Sequence, residues 1–367
     1  MNETIYMPVG EVCSSISDTY REKKNMVTLI NTSDVLEGRV LNHERVPNSN
    51  LKGQFKKTFQ RDDILYSEIR PQNRRFAYVD FSPIDYIAST KLMVIRAKKD
   101  VVSPKYLYYF LKNSSTVAEL QLLAETRSGT FPQITFSEVA NLTIPVPPLA
   151  VQEVIVQTMQ CLEDKTICNE QINDNLQQQA QAIYSSMFID NPDPAWSHGH
   201  LSDLITVKYG KDHKKLAEGI YPVYGSGGIM RYVERPLYNK ESVLIPRKGT
   251  LNNVMYVNQP FWSVDTMFYT EMKLPNVAKF VYHFVKAKDL ASMNAGSAVP
   301  SMTTDILNAM EVVIPSASAL EEFESLVAPM YEAMEANDVQ SKALSQMRDT
   351  LLPKLMSGEI DVSDIQL

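Results

Sequence analysis

Cysteine is scarce in this sequence. Cys13, Cys161 and Cys168 are the only three among 367 residues, and they are odd in number, widely spaced and without a C-x-x-C pair. That pattern excludes a disulfide scaffold and a structural zinc site, and it implies reduced thiols. Long apolar runs are lacking too. No stretch reaches the roughly 20 apolar residues that span a bilayer, and the start, MNETIYMPVG, has neither the basic opening nor the apolar centre of a secretory signal, so a cytoplasmic protein is expected. Catalytic signatures are equally sparse. There is no Gly-x-x-x-x-Gly-Lys-Ser/Thr loop to cradle nucleotide phosphates. There is also no Asn/Asp-Pro-Pro-Tyr/Phe segment; the nearest run, Asn191-Pro192-Asp193-Pro194, reads as a linker. Glu271-Met272-Lys273 has the Glu-x-Lys spacing of one nuclease class but lacks an acidic motif upstream, and among the five histidines (43, 198, 200, 213, 283) only His198 and His200 are close, in a stretch that reads as solvated surface. No metal site is expected, and no catalytic residue.

What is present is a repeat. Sliding residues 132–188 by 168 positions lays them without a gap on residues 300–356: Pro132 on Pro300, Pro147 on Pro315, Glu153 on Glu321, Asn169 on Asn337, Leu176 on Leu344 and Ile183 on Leu351. Upstream the copies pair at other offsets, with Asp63-Ile64-Leu65 meeting Ser242-Val243-Leu244 and Lys105–Phe110 meeting Lys279–Phe284. A unit this long makes two domains rather than a solenoid. A duplicated pair of domains suits a target that also comes in two parts.

The overall charge of −7 conceals a division between segments. Residues 1–147 hold 19 Lys/Arg against 16 Asp/Glu, and residues 198–315 hold 13 against 10, so both are mildly basic. Residues 148–189, with 1 against 5, and 316–367, with 3 against 10, are acidic. This asymmetry suits two domains facing a polyanion and two connectors that do not.

The acidic segments predict long helices. After Pro145-Val146-Pro147-Pro148 no Pro or Gly occurs until Pro192, and helix formers dominate. Apolar residues recur every seven positions. One seam holds Ile155, Leu162, Asn169, Leu176 and Ile183, and the other Met159, Thr166, Asn173, Ala180 and Met187. The second copy repeats them as Phe323, Met330, Asn337, Leu344, Leu351 and Val327, Met334, Ser341, Arg348, Leu355. Asn169 and Asn337 fall at the centre of matching seams. Antiparallel pairing would bring them together as a register-fixing polar pair; otherwise they are solvated. A helix of this length forms a rod of roughly 60 Å, able to hold two domains apart.

Each basic segment shows short β-branched and aromatic runs before an apolar helix. Residues 64–66, 76–79 and 92–95 precede a helix at 104–112, while 243–245, 254–257 and 266–269 precede one at 277–286. The expected class is α+β with a mixed, curved sheet.

These residues resemble the specificity (S) subunit of Type I restriction-modification systems. The resemblance covers essentially the whole chain. It rests on Ser128-Gly129-Thr130-Phe131-Pro132-Gln133-Ile134 running into Ile144–Gln152, on the terminal Leu351-Leu352-Pro353-Lys354-Leu355-Met356-Ser357-Gly358-Glu359-Ile360, and on Tyr221–Gly228 and Phe261–Thr266 of the second copy. The second copy departs from the pattern in having Ala295-Gly296-Ser297-Ala298-Val299-Pro300 where the first has an aromatic before Pro132, and in lacking a Pro-Pro pair after Ile314. The resemblance implies two target recognition domains, 1–147 and 191–315, separated by two long helices, 148–190 and 316–367, packed as an antiparallel coiled coil with pseudo-twofold symmetry. Each domain would read half of a split asymmetric site in double-stranded DNA. The helices would set the gap and dock two modification (methyltransferase) subunits, with restriction (translocase/endonuclease) subunits added. S-adenosylmethionine, ATP and Mg2+ would be bound by those partners, and this chain would bind no cofactor and catalyse nothing.

Base contacts would then come from loops. Arg70, Asn73, Arg74 and Arg75 follow one strand, and Arg247, Lys248, Asn252 and Asn253 follow its counterpart. Arg and Lys can read guanine and Asn can pair with adenine, although a phosphate contact or a solvated charge is the plainer role for each. Lys52, Lys56, Lys57, Lys211, Lys214 and Lys215 suit phosphate positioning. Tyr224, Ser226 and Gly227 could bring backbone near a duplex or form a plain turn. Two other classes stand beside this one: a coiled-coil adaptor whose paired domains bind proteins, and a stand-alone methyltransferase or nuclease, which the missing motifs disfavour.

Overall fold

The structure, a computed structural model, describes residues 4–49, 53–127, 130–293 and 301–362. The chain forms two compact units: one from residues 1–168 with 339–367, the other from 169–338. Each unit therefore takes one repeated domain together with part of each long helix, and the same plan is built twice.

In the first unit Ile5–Pro8 pairs antiparallel with Thr143–Val146, which closes the domain next to its long helix. A four-stranded antiparallel sheet follows in the order Cys13–Ile16, Leu92–Ala97, Ile64–Ser67, Phe76–Tyr78. Its inner strands, ILYS and LMVIRA, are buried almost throughout, as expected for β-branched and aromatic runs covered on both faces. Helix Pro104–Lys112 lies in the same core through Tyr106, Leu107, Tyr109 and Leu111. Asp63, 1% exposed, is held by a bidentate pair from Arg96 at 2.7 Å for each bond and by the Gln60 backbone N–H at 2.8 Å. Three donors make a buried carboxylate tolerable here.

The second unit repeats this order. Ser197–His200 pairs with Glu311–Ile314, and the sheet runs Ile205–Tyr209, Met267–Met272, Ser242–Pro246, Met255–Val257. Helix Ala278–Lys286 buries Phe280, Val281, Phe284 and Val285. The strands and helices expected from the sequence coincide with these elements, apart from overruns of one residue at Val79, Val254, Thr266 and Val277. Beyond them, each unit has a second small sheet that the sequence pattern did not reveal. In the first it is Val46–Pro47, Met26–Ile30, Tyr86–Ser89, Phe55–Lys57, with Met26–Ile30 and Tyr86–Ser89 parallel. In the second it is Gly228–Val233, Tyr221–Gly225, Trp262–Ser263. Among the described residues, helix Ser114–Arg127 is particular to the first unit.

The long helices run Leu149–Ser185, continued by a wider turn to Asp190, and Ala317–Ser357. Every seam position named above is buried or half-buried. Within the first unit Ile155 and Met159 share a core with Leu352, Leu355 and Met356, and within the second Ala180 and Tyr184 share one with Leu320, Phe323 and Val327. Early residues of one helix meet late residues of the other, so the pairing is antiparallel. Asn169 and Asn337 do approach each other, with a shift from the expected pairing. The Asn169 amide donates to the Asn337 carbonyl at 3.3 Å, while the Asn337 amide donates to the Asn173 side chain at 2.8 Å. The side-chain pair is thus Asn173 with Asn337, because antiparallel side chains interleave instead of meeting head on.

Domain and helix are also tied by polar contacts. Lys112, nearly buried, binds Glu163 of the first long helix, which also accepts from Tyr109 Oη at 2.9 Å and lies 3.8 Å from Arg348. In the second unit Lys279 binds Glu324 at 2.6 Å and Glu241 at 3.3 Å. His283, fully buried, bridges Gln181 (Nδ1, 2.8 Å) and Tyr331 (Nε2, 3.0 Å) and stacks on Tyr184. Burial, with Lys286 nearby, lowers its pKa from 6.5 to about 4.

Candidate nucleic-acid interface

In both units the loop after the second inner strand is pinned at the same place. The Ile134 N–H donates to the Glu68 carbonyl and Ile69 bridges Gln133; the Met302 N–H donates to the Arg247 carbonyl and Lys248 bridges Ser301. These two clamps superpose the loops in a register that pairs Glu68 with Arg247, Ile69 with Lys248, Arg70 with Gly249 and Asn73 with Asn252. The equivalence carries a backbone requirement. Gly249 has φ +86° and Arg70 has φ +44°, so Arg70 occupies a left-handed position where the other copy uses glycine. Such a conformation strains a non-glycine residue, and strain of this kind gathers at functional positions.

In the first unit Arg70 and Asn73 are exposed, and their side chains have no partner among the described residues. Arg74 and Arg75 are turned inward. Arg74 lies 3.3 Å from Glu37 without hydrogen-bond alignment at Nε, reaches the Lys112 carbonyl at 3.4 Å and packs over Phe76. Arg75 donates to the carbonyls of Ser33 at 2.9 Å and Val35 at 3.4 Å. Lys57 donates to the carbonyls of Thr90 and Leu92, and burial lowers its pKa. These three are braces of the fold. Lys56 is exposed, and Lys52 lies outside the described residues.

In the second unit several loops converge. The Tyr224 carbonyl accepts from Val264, the Lys211 N–H donates to Ser263, and the Arg247 N–H donates to Thr266. The Asn253 amide donates to the Ser226 carbonyl at 2.8 Å, and a Cβ on Gly249 would lie 2.6 Å from Ser226 Oγ. Glycine at 249 thus avoids both backbone strain and a contact that the Ser226 hydroxyl would have to rotate to relieve. The Arg247 guanidinium lies over the Tyr209 ring at 5.4 Å, which holds a flexible cation in one direction. Lys248, Lys211, Lys214 and Lys215 are exposed with no side-chain partner among the described residues. Asn252 is occupied at both ends of its amide, by Asp289 and by the Ala291 N–H, and Tyr224 is buried with its hydroxyl 3.4 Å from Gln259. Asn252 is exposed with its amide already engaged, and Tyr224 does not face outward. Tyr209 was missed in the sequence reading, since only strand pairing places it under Arg247. Among the described residues no group of three or more His, Cys, Asp or Glu is placed to hold a metal, and no helix is long and apolar enough to cross a membrane.

Each unit thus displays an unpaired cation on its clamped loop, Arg70 beside the unpaired Asn73 amide in the first and Lys248 in the second, although not at equivalent places. A family profile described as Type I restriction modification DNA specificity domain matches residues 5–178 and 195–323, one match for each copy of the repeat. The chain belongs to this family. Members similar in sequence include the Type I restriction enzyme HindI specificity subunit of Haemophilus influenzae, 27% identical over 91% of this chain and 94% of that one. The MjaIX specificity subunit of Methanocaldococcus jannaschii is 24% identical over 77% of each. Among solved structures, the S subunit of a Type I restriction-modification system from M. genitalium shares the fold with a TM-score of 0.56, at 18% identity over 97% of this chain and 96% of that one. A chain of another solved type I R-M system gives a TM-score of 0.51, at 14% identity over 97% and 98%.

Proposed function

We propose that this chain is the DNA-reading specificity subunit of a Type I restriction-modification complex and that each unit reads one half of a bipartite, asymmetric site in double-stranded DNA. The observation that carries this reading is the occurrence of two clamped, cation-bearing loops, one in each family-matched copy. In the first unit Arg70 and Asn73 are the base readers, with Lys56 on phosphate. In the second, Arg247 and Lys248 read bases while Lys211, Lys214 and Lys215 hold phosphate. The paired helices dock two methyltransferase subunits, and restriction subunits join the assembly. Chemistry belongs to those partners, which bind S-adenosylmethionine, ATP and Mg2+; this chain supplies the address.

Salt dependence separates this from a protein-binding adaptor. For the complex co-purified with its methyltransferase partner, affinity for duplex DNA should fall about a thousandfold between roughly 50 and 200 mM salt, as released counterions require when about six phosphates are contacted. Binding that is indifferent to salt overturns the proposal.

A further inference from the structure

In the second unit a β-hairpin, Tyr221–Gly225 with Gly228–Val233, ends beside the Arg247–Asn253 loop, tied to it through Ser226. Its outer strand is the edge of the small sheet. The pairing is regular from Tyr221↔Val233 to Val223↔Arg231 and then slips, so that Tyr224 faces Ile229 and Met230 becomes the extra residue of a bulge. A bulge breaks the in-out alternation and redirects a side chain. Here it leaves two consecutive apolar residues outside, Ile229 at 43% and Met230 at 61% exposure. Met230 is seated. A Cβ on Gly225 would stand 2.5 Å from its sulfur, so glycine at 225 makes the space in which Met230 lies across the hairpin. In the turn, Gly227 has open space around it.

Two adjacent exposed apolar side chains stand on a hairpin whose turn touches the loop that carries Arg247 and Lys248, and exposed apolar surface on an element joined to a cationic loop suits a contact site. The neighbouring charge selects a polyanion as occupant. On a duplex, the apolar feature offered to a protein edge strand is the thymine 5-methyl group, which stands in the major groove, the groove wide enough to admit a β-ribbon. Resting on the DNA-reading role above, we propose that Ile229 and Met230 form an apolar probe that recognises thymine methyl groups in the half-site read by the second unit. Arg247 and Lys248 would supply the polar contacts beside it.

The test uses the complex with its methyltransferase partner and duplexes carrying its mapped site, with thymines replaced one at a time by uracil, which removes only the methyl. Loss of one buried methyl should weaken binding about fourfold. The expected result is such a loss at one or two thymines of a single half-site, with thymine and uracil duplexes bound alike by the Ile229→Ala/Met230→Ala complex and discrimination restored by Met230→Leu. Uracil duplexes that the wild-type complex binds as well as thymine duplexes overturn the inference, as does discrimination that survives in the alanine variant. A wild-type complex that binds no site specifically overturns the DNA-reading role itself.

Discussion

At the scale of single residues, the loops after the inner strands separate readers from braces. Arg70 is held at φ +44° where its counterpart is Gly249. Arg70→Gly should therefore raise thermal stability by about 1 kcal/mol while weakening DNA binding. A variant that is stabilised and still binds fully would remove Arg70 as a reader. Arg247, steadied over Tyr209, should behave differently. Arg247→Ala should cost about 1–3 kcal/mol of discrimination in one half-site and leave the other intact, read from the methylated sites of the variant complex. Arg96→Ala tests a brace: with Asp63 1% exposed, removing its partner strands a buried carboxylate and should cost about 3 kcal/mol in denaturant unfolding. Residue types and loop positions were legible in the sequence, but the division of labour was not. Arg75, Lys57 and Asn252 carry the same groups as Arg70, Lys56 and Asn73. Their engagement within the chain depends on carbonyls and carboxylates distant in sequence, such as Ser33, Leu92 and Asp289.

At the scale of elements, the heptad seams read from the sequence coincide with the buried faces of the two helices. Seven-residue spacing fixes a helix face regardless of what covers it. The finer pairing of Asn173 with Asn337 depends on stagger, which spacing does not specify. Replacing both by Leu should raise stability by about 1 kcal/mol or more and loosen register, seen as a higher denaturant midpoint with broadened spectra of the helix residues. The second helix also runs through Pro329 and Pro353, both exposed, each of which removes a backbone hydrogen bond; packing of the opposite face holds it together. Of the elements that were missed, the small sheets consist of strands as short as Val46–Pro47 and Trp262–Ser263, too brief to show periodicity. The helix Ala278–Lys286 carries a pH signature. His283 is neutral and buried, with its folded pKa lowered from 6.5 to about 4, so the unfolded chain binds the extra proton first. Stability is fully present above pH 6.5 and declines as pH falls from there toward 4, by up to about 3 kcal/mol. His283→Gln should flatten that part of the pH–stability curve; an unchanged slope would show that other groups cause it.

At the scale of the whole molecule, duplication was the most legible property, because a gapless offset of 168 residues survives divergence that has altered the domains themselves. Less legible was the composition of each compact unit, which takes part of each long helix along with its domain. The halves of a unit lie far apart in sequence, and local pattern carries no record of which distant segments share a core. Two units, each with its own clamped loop and each matched by the specificity family, make the central claim that this chain reads two half-sites. The most direct test is to co-express the chain with its methyltransferase partner and map methylated adenines across the host DNA by single-molecule sequencing. A split, asymmetric motif with a constant gap is the predicted result. A stable complex that methylates a single unbroken sequence, or no defined sequence at all, would contradict it.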